Sequence, residues 1–334
     1  MEKCQFSEDN FKYLFIDELR DYVNDIPFLP TLAAETFLGF DVGLSLRSGN
    51  PLSPKIGHPK FCHLMRLFRW LLCRRIKPSS GTNGGVSLEA INRIATDLSK
   101  YKGWPKAHFD FYIQFKRANY YPRGSKAARK AWNGKGHYRF NIDKAQNEVL
   151  ALNYLGAPTG VEAIYAAPAF HTWSDLRGHG VCGNIIQNSN IVDIQHMFRN
   201  WPKVNQSNSH SEYTFDKPGN SGIGFSDPAQ IGSASLEEII ARQRDAKAKP
   251  FFRHMKETAS AIRKSLEEAN KDAEPHRQKA LQMFKQQEQA ILRTFYKNGE
   301  AVKQDEQSKN SFAHACVTIA AYSRAFNVDI VAMS

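Results

Sequence analysis

The chain has 334 residues, enough for one large domain or two ordinary ones, and its apolar content of 42% argues against an intrinsically disordered protein. Its formal net charge of +12 suggests an anionic partner, with nucleic acid ahead of a membrane surface. The five cysteines are scattered and form no CxxC pair, which argues against a disulfide framework and a cysteine-rich zinc site.

The sequence also indicates where the protein works. No signal-peptide pattern is present at the start of the chain. The apolar run over 64–76 is short and interrupted by arginines, so we expect no membrane span. A reducing cytoplasm is the simplest compartment for such a protein.

Predicted helices and a strand occupy the first part of the chain, where Pro27 and Pro30 end the first helix and Gly39 ends the second. Glycine and serine over 78–85 predict a flexible loop. The predicted elements are a helix up to about residue 26, a short helix over 32–38, a strand over 40–46, a basic helix over 63–76 and a helix over 88–101.

The segment 109–117 alternates between apolar and polar residues throughout. Alternation of aromatic and β-branched residues with polar ones predicts a half-buried strand. Its polar side consists of Asp110, Tyr112, Gln114 and Lys116. An ordinary solvated face has no need for a carboxylate, an amide and an amine in a row, so we interpret this side as a functional site. The alternative is a polar sheet face that a helix covers.

The remainder of the chain is predicted to be mixed at first and then helical. Asparagine, serine, glycine and proline over 201–235 predict a loop or linker, and 236–334 is predicted to be a helical region that pairs with itself, with a second copy or with a partner protein. The other predicted elements are a strand over 137–142, a helix over 144–155, a strand over 161–167, a helix or turn over 170–176 and a last helix over 311–326.

Basic charge is concentrated in two segments that contain no acidic residue, 42–88 and 111–142. Lysine and arginine neutralise phosphates, and the tyrosines and tryptophan of the second segment can stack on exposed bases. We therefore predict an electropositive surface that binds nucleic acid, DNA more readily than RNA. Its predicted residues are Arg66, Arg69, Arg74, Arg75, Arg117, Arg123, Lys126, Arg129, Lys130 and Lys135.

The order of elements over 31–170 is helix, strand, long insertion, strand, helix and strand, and with its motifs it resembles the core of the PD-(D/E)XK nuclease superfamily. Glu35 precedes the first core strand, and Asp41 lies in that strand, in GFDVGL. Gln114 and Lys116, in IQFKR, match the (D/E)-x-K motif with glutamine as the variant residue. Gln146, in KAQNEVL, matches the glutamine of the next helix in the lambda-exonuclease-like branch.

The resemblance implies an α/β fold of the restriction-endonuclease type, with a central mixed sheet flanked by helices and a C-terminal helical extension. The nuclease-like domain would span 1–200, with an insertion over 47–108. Its activity would be hydrolysis of phosphodiester bonds with Mg²⁺ or Mn²⁺, possible in bacterial restriction or anti-phage defence. Glu35, Asp41 and Gln114 would bind the metal, while Lys116, with Gln114 and Gln146, would act on the water and the phosphate.

Alternatives remain at this point. Asp110 shares the face of Gln114 and competes with Asp41 as a metal ligand, and Gln146 can be an ordinary polar residue at a helix start. Because glutamine removes one negative charge from the motif, the chain can also be a nuclease fold that only binds nucleic acid. A third hypothesis is a scaffold whose working surface is the C-terminal helices.

Overall fold

A computed structural model describes residues 1–19, 88–100, 106–123, 132, 134–143, 145–147, 149–151, 161–194, 210–219, 221–224, 230–232, 234–243, 246–271, 275–293, 295 and 311–333. In this part of the chain several helices surround mixed sheets, which confirms the predicted α/β class. The helices are α1 (Glu8–Leu19), α2 (Leu88–Ser99), α3 (Trp173–Cys182), α4 (Leu236–Ala241), α5 (Phe251–Lys271), α6 (Pro275–Arg293) and α7 (Phe312–Phe326). Residues 145–147 and 149–151 are also helical, and we call this stretch the Gln146 helix.

The described strands lie mostly between α2 and α5. They are β1 (Lys106–Ala107), β2 (Phe109–Phe115), β3 (Asn119–Tyr121), β4 (His137–Asp143), β5 (Val161–Pro168), β6 (Ser189–Asp193), β7 (His210–Phe215), β8 (Ser221–Gly224), β9 (Gln230–Gly232), β10 (Lys249–Pro250) and β11 (Asp329–Met333).

The central sheet has the described strand order β11-β2-β5-β6. Strands β2 and β5 are parallel, with Gln114 opposite Tyr165, while β11 and β6 are antiparallel to their neighbours. Parallel strands require a crossover connection, and here the chain between them includes the Gln146 helix. The carboxyl ends of β2 and β5 therefore lie at the same edge of the sheet.

Strand β2 is buried on both faces, so the predicted half-buried strand is wrong in that respect. The alternation itself is confirmed. Phe109, Phe111, Ile113 and Phe115 join a core cluster with α1, whereas Tyr112 belongs to the cluster on the other face, with α5, α6 and α7. Helices cover the polar side of the strand, and a covered polar group needs a partner inside the protein.

Three strands lie in the segment 201–235, where a loop or linker was predicted. Strands β7, β8 and β9 continue a second sheet of order β3-β4-β7-β8-β9, antiparallel throughout. Strands β8 and β9 are short and rich in glycine, which has low strand propensity, whereas β7 contains Tyr213, Thr214 and Phe215, which favour a strand. Pairing with β4 and burial of Tyr213 and Phe215 stabilise β7, onto which β8 and then β9 pair.

The described residues of the C-terminal region are mostly helical, apart from the strands β10 and β11. Helices α5 and α6 pack against α7, and α7 also contacts α2. Ser311 caps the start of α7, and Asn327, with φ of 50°, ends it in the left-handed conformation. The chain then forms β11, which pairs with β2, so this region contributes a strand to the central sheet. Among the described helices, none is long and apolar enough to cross a membrane.

Candidate active site

Three of the residues predicted to carry chemistry meet at the carboxyl end of β2. Gln114 and Lys116 come from the strand and from the residue just after it, and Gln146 comes from the Gln146 helix. The two remaining predicted ligands, Glu35 and Asp41, lie outside the described residues. The structure therefore brings together the strand and helix components of the predicted site.

Backbone pairing fixes where Lys116 lies. Its amide donates to the carbonyl of Ala166 over 2.9 Å, which extends the pairing of β2 with β5 by one residue. Alternation then places the side chain on the same face as Gln114. The amine lies 5.7 Å from the ring centroid of Tyr165, a fully buried residue of β5. Crevices at the carboxyl ends of parallel strands are common ligand sites in α/β proteins.

The hydrogen bonds of the two glutamines have one consistent polarity. The carbonyl of Phe326 can only accept, so the amide nitrogen Nε2 of Gln114 faces it at 3.2 Å. An ammonium can only donate, so Oε1 of Gln146 faces Nζ of Lys116 at 3.4 Å. The same Oε1 accepts from Gln114 Nε2 at 2.5 Å. One oxygen therefore links the strand to the amine that follows it.

The amine of Lys116 has an unusual environment. Burial lowers its pKa below the ordinary value of 10.5, against the raising effect of the carboxylates of Glu8 and Asp143. Neither carboxylate forms an ion pair with it, and no other described residue does. A partly buried cation without an ion pair to a described residue is a candidate site for an anionic ligand, because burying an uncompensated charge costs free energy.

Asp143 is a site residue that the sequence analysis missed. Its Oδ1 accepts from the backbone amides of Ala145, at 2.8 Å, and Gln146, at 3.2 Å. It is therefore the N-terminal cap of the Gln146 helix and holds Gln146 beside the strand. The spacing of an aspartate and a glutamine three residues later, in DKAQ, is similar to a capping box and is the signal that could have identified it.

Glu8, at the start of α1, is the second missed residue. Its Oε1 accepts from the backbone amide of Arg117 at 3.1 Å, and its Oε2 accepts from the side chain of Asn327 at 3.0 Å. One carboxylate thus joins the residue after Lys116 to the end of α7. These contacts are between distant parts of the chain, and no local pattern predicts them.

The predicted Mg²⁺ or Mn²⁺ fits the described residues only in part. Oε1 of Gln114 is buried, and no described residue donates to it, so an amide oxygen is available beside Lys116. Oxygen ligands suit these hard cations. Within the described part of the chain, however, no group of three histidine, cysteine, aspartate or glutamate side chains is placed to hold a metal ion. The predicted carboxylates are outside that part.

Asp110, the alternative ligand, has a structural role in this fold. Its Oδ1 lies 2.6 Å from Nε2 of His254, and its Oδ2 accepts from Oγ1 of Thr258 at 2.6 Å. Both partners are on α5, and all three residues are buried. The carboxylate that would have competed with Asp41 therefore fastens α5 to the polar side of β2.

Of the residues predicted to bind nucleic acid, Arg117, Arg123 and Lys135 are described, and all three are exposed. Arg117 directly follows Lys116, so at least one exposed guanidinium side chain is adjacent in sequence to the candidate site. The others lie outside the described residues: Arg66, Arg69, Arg74, Arg75, Lys126, Arg129 and Lys130.

Comparison with known proteins gives no relative from which a function can be transferred. No protein-family model, no curated protein and no solved structure matches this chain. A function for it has to follow from the chemistry of its own residues.

Proposed function

We propose that this protein is a metal-dependent nuclease that hydrolyses phosphodiester bonds of DNA or RNA at the carboxyl end of β2. The observation that carries the proposal is Lys116, a lysine with a lowered pKa and no ion pair to a described residue, hydrogen-bonded to a glutamine of the following helix. A phosphate group would supply the negative charge that this amine lacks.

The residues have distinct roles in such a reaction. The ammonium of Lys116 stabilises negative charge that develops on the phosphate oxygens, a contribution that is greatest where water is excluded. Gln146 orients the amine through Oε1, and Asp143 holds Gln146 by capping its helix.

A divalent cation would be held by Oε1 of Gln114 together with the predicted ligands Glu35 and Asp41. When bound, it supplies a Lewis acid for the phosphate and lowers the pKa of its bound water. Glutamine contributes an oxygen but no charge, so the carboxylates must provide the negative charge of the ligand set.

One observation favours a second function, binding of nucleic acid without cleavage. The side chain of Gln114 is uncharged and 0% exposed, and its amide nitrogen is hydrogen-bonded on two sides. A site with such a fixed, neutral residue in the motif would bind a cation weakly. In that case Lys116 and the exposed cations would still bind phosphates.

The test is to incubate the purified protein with labelled single- and double-stranded DNA and RNA, with Mg²⁺, with Mn²⁺ and with chelator. Lys116→Ala is compared with Lys256→Ala, because Lys256 is an exposed lysine of α5. We expect cleavage that requires the metal, is lost in Lys116→Ala and is retained in Lys256→Ala. Binding without cleavage under every condition would support the second function, and cleavage by Lys116→Ala at the wild-type rate would refute the proposed site.

A further inference from the structure

The outer face of the second sheet carries flat side chains in close succession. Tyr121 on β3 lies opposite His137 on β4, and their rings stack at 5.5 Å with an interplanar angle of 11°. The ring of Trp132 lies 6.3 Å from that of His137, at 17°. The guanidinium of Arg139 lies 4.1 Å from the centroid of Tyr121. We call these four residues the stacked row.

The stacked row is on the side of the sheet that faces away from the core. Tyr138, the next residue along β4, points to the opposite side, where it stacks on Phe215 and packs against the main core cluster. Only His137 in the row is buried, while the other three members are partly exposed. A row of nearly parallel rings on an outer face is not needed to fill a core.

Trp132 ends the row and lies beside a positive charge. The amide of Lys135 donates to the carbonyl of Trp132 at 2.9 Å, which closes a turn between them. Gly134 has φ of 76° in that turn, a conformation that glycine adopts without strain. The turn therefore brings the backbones of Trp132 and Lys135 together, and Lys135 is exposed. Within the described part of the chain, the indole has His137 as its aromatic neighbour on one side and none on the other.

The charges of this surface suit a polyanion. Arg123 and Lys135 are exposed, and each is two positions in sequence from a member of the row, Tyr121 and His137. Arg139 forms an ion pair of 2.7 Å with Glu212, which leaves the exposed pair to act on a ligand. Burial, with the charge of Arg139, lowers the pKa of His137 below its ordinary 6.5, although a hydrogen bond to the backbone carbonyl of Lys135 tends to raise it. Its ring is therefore neutral at physiological pH and does not repel the guanidinium group beside it.

We propose that the stacked row binds unpaired bases, so that the substrate is a nucleic acid with a single-stranded segment. A base stacks on the face of Trp132 that is turned away from His137, and its phosphate meets Lys135. Bases in a duplex already stack on one another and cannot add to such a row without unpairing. The inference rests on the proposed function for its ligand class. Strand β3 begins three residues after Lys116. Nucleic acid bound at the stacked row would therefore lie near the site where it is cut.

Binding is measured by fluorescence anisotropy in chelator, where no cleavage occurs, on the full chain. The probes are a labelled oligothymidylate of about 12 nucleotides and a strand of the same length built from abasic sugars, which keeps the phosphates and lacks the bases. Wild type, Trp132→Ala and Trp132→Phe are compared with Trp173→Ala, which removes an exposed tryptophan of α3. Thermal melting of each variant reports whether it is folded.

We expect the wild type to bind the oligothymidylate more tightly than the abasic strand. Trp132→Ala should weaken oligothymidylate binding roughly 5- to 150-fold, the usual range for one stacked base, and leave abasic binding unchanged. Trp132→Phe keeps a ring but loses the indole hydrogen bond to Thr214, so recovery of affinity in this variant would assign the effect to stacking.

Equal wild-type affinity for the two strands would overturn the proposal without requiring any variant to fold. So would equal losses of Trp132→Ala on both strands, which would indicate a purely electrostatic surface. These results do not bear on cleavage, because Lys116→Ala tests cleavage separately in metal. Failure of the stacked row and failure of the nuclease site are therefore distinguishable.

Discussion

Oε1 of Gln146 accepts from Nε2 of Gln114 at 2.5 Å, although the two residues are 32 positions apart in the chain. The same oxygen faces Nζ of Lys116 at 3.4 Å. One side chain of a helix thus sets the orientation of two side chains of the neighbouring strand. Removing that side chain would release the amine of Lys116, whereas Gln114 would keep its bond to Phe326.

Gln146→Ala should lower the rate of metal-dependent cleavage by about 100-fold, because a displacement of about 1 Å at a reacting group has that effect. It should lower the free energy of unfolding by only about 1 kcal/mol, since Gln114 keeps its bond to Phe326. Gln146→Met is the matched variant, because it fills a similar space without an oxygen that accepts from the two donors. Cleavage kinetics and urea unfolding of the wild type and both variants measure the effect, and a Gln146→Met rate equal to that of the wild type would contradict the orienting role.

Lys116→Met should remove cleavage without loss of stability, because methionine has a similar length and no charge to desolvate. The pKa of Lys116 is lower in the folded chain than its ordinary 10.5. At a pH between the folded-state pKa and 10.5, the unfolded chain therefore binds more protons than the folded chain. Wild type should therefore gain stability with rising pH in that window, relative to Lys116→Met. Urea unfolding of both proteins at several pH values up to 10.5 checks the sign. If the wild type instead lost stability relative to Lys116→Met as the pH rises, the folded state would favour the charged amine.

Asp143 can act by capping or by its charge, and two substitutions separate these effects. Asp143→Asn keeps an oxygen that can accept from the amides of Ala145 and Gln146. Asp143→Ala loses the cap, which should cost about 1 kcal/mol of stability and displace Gln146. We expect Asn to retain most of the cleavage rate and Ala to lose it. Loss of cleavage in a stable Asp143→Asn variant would instead assign the carboxylate a direct role at the metal or phosphate.

Asp110 should affect stability and not cleavage. Burial tends to lower the pKa of His254, but the charge of Asp110 and the hydrogen bond to it raise the pKa above 6.5 overall. The stabilisation from this pair is therefore fully present below pH 6.5 and is lost as the pH rises through the raised value. Asp110→Ala should cost roughly 3–5 kcal/mol at low pH, as expected for breaking a buried pair.

The check on Asp110 is a series of unfolding curves against pH, together with cleavage at a temperature where Asp110→Ala is folded. His254→Gln serves as a control, since it removes the titrating group and keeps a donor for the carboxylate. A folded Asp110→Ala variant that no longer binds metal would show that Asp110 is a ligand after all.

Local pattern was sufficient to predict the strand and helix components of the site. The alternation around Gln114 and Lys116 predicted the strand and the shared face of those two side chains, and both are present. The same pattern could not show that the polar side of β2 is covered, because the covering helix α7 is distant in sequence. The bond from Gln114 to Phe326, for example, spans 212 positions.

Elements that depend on distant pairing were not predicted. Strand β11 is a short apolar segment after Asn327, and its partner is β2. Strands β8 and β9 gain their stability from pairing onto β7 and not from their own propensity. Glu8 belongs to the same class, because its contacts with Arg117 and Asn327 span 109 and 319 positions. The sequence around a residue does not identify partners that are so distant in the chain.

The most direct test of the central claim is the single-turnover rate of metal-dependent cleavage by wild type, Lys116→Met and Lys256→Ala, on a labelled oligonucleotide that all three bind. We expect Lys256→Ala to match the wild type and Lys116→Met to be slower by at least about a hundredfold while its affinity for the oligonucleotide changes little. Cleavage by Lys116→Met at the wild-type rate, with Mg²⁺ or Mn²⁺ present, would contradict the assignment of the catalytic site to the carboxyl end of β2.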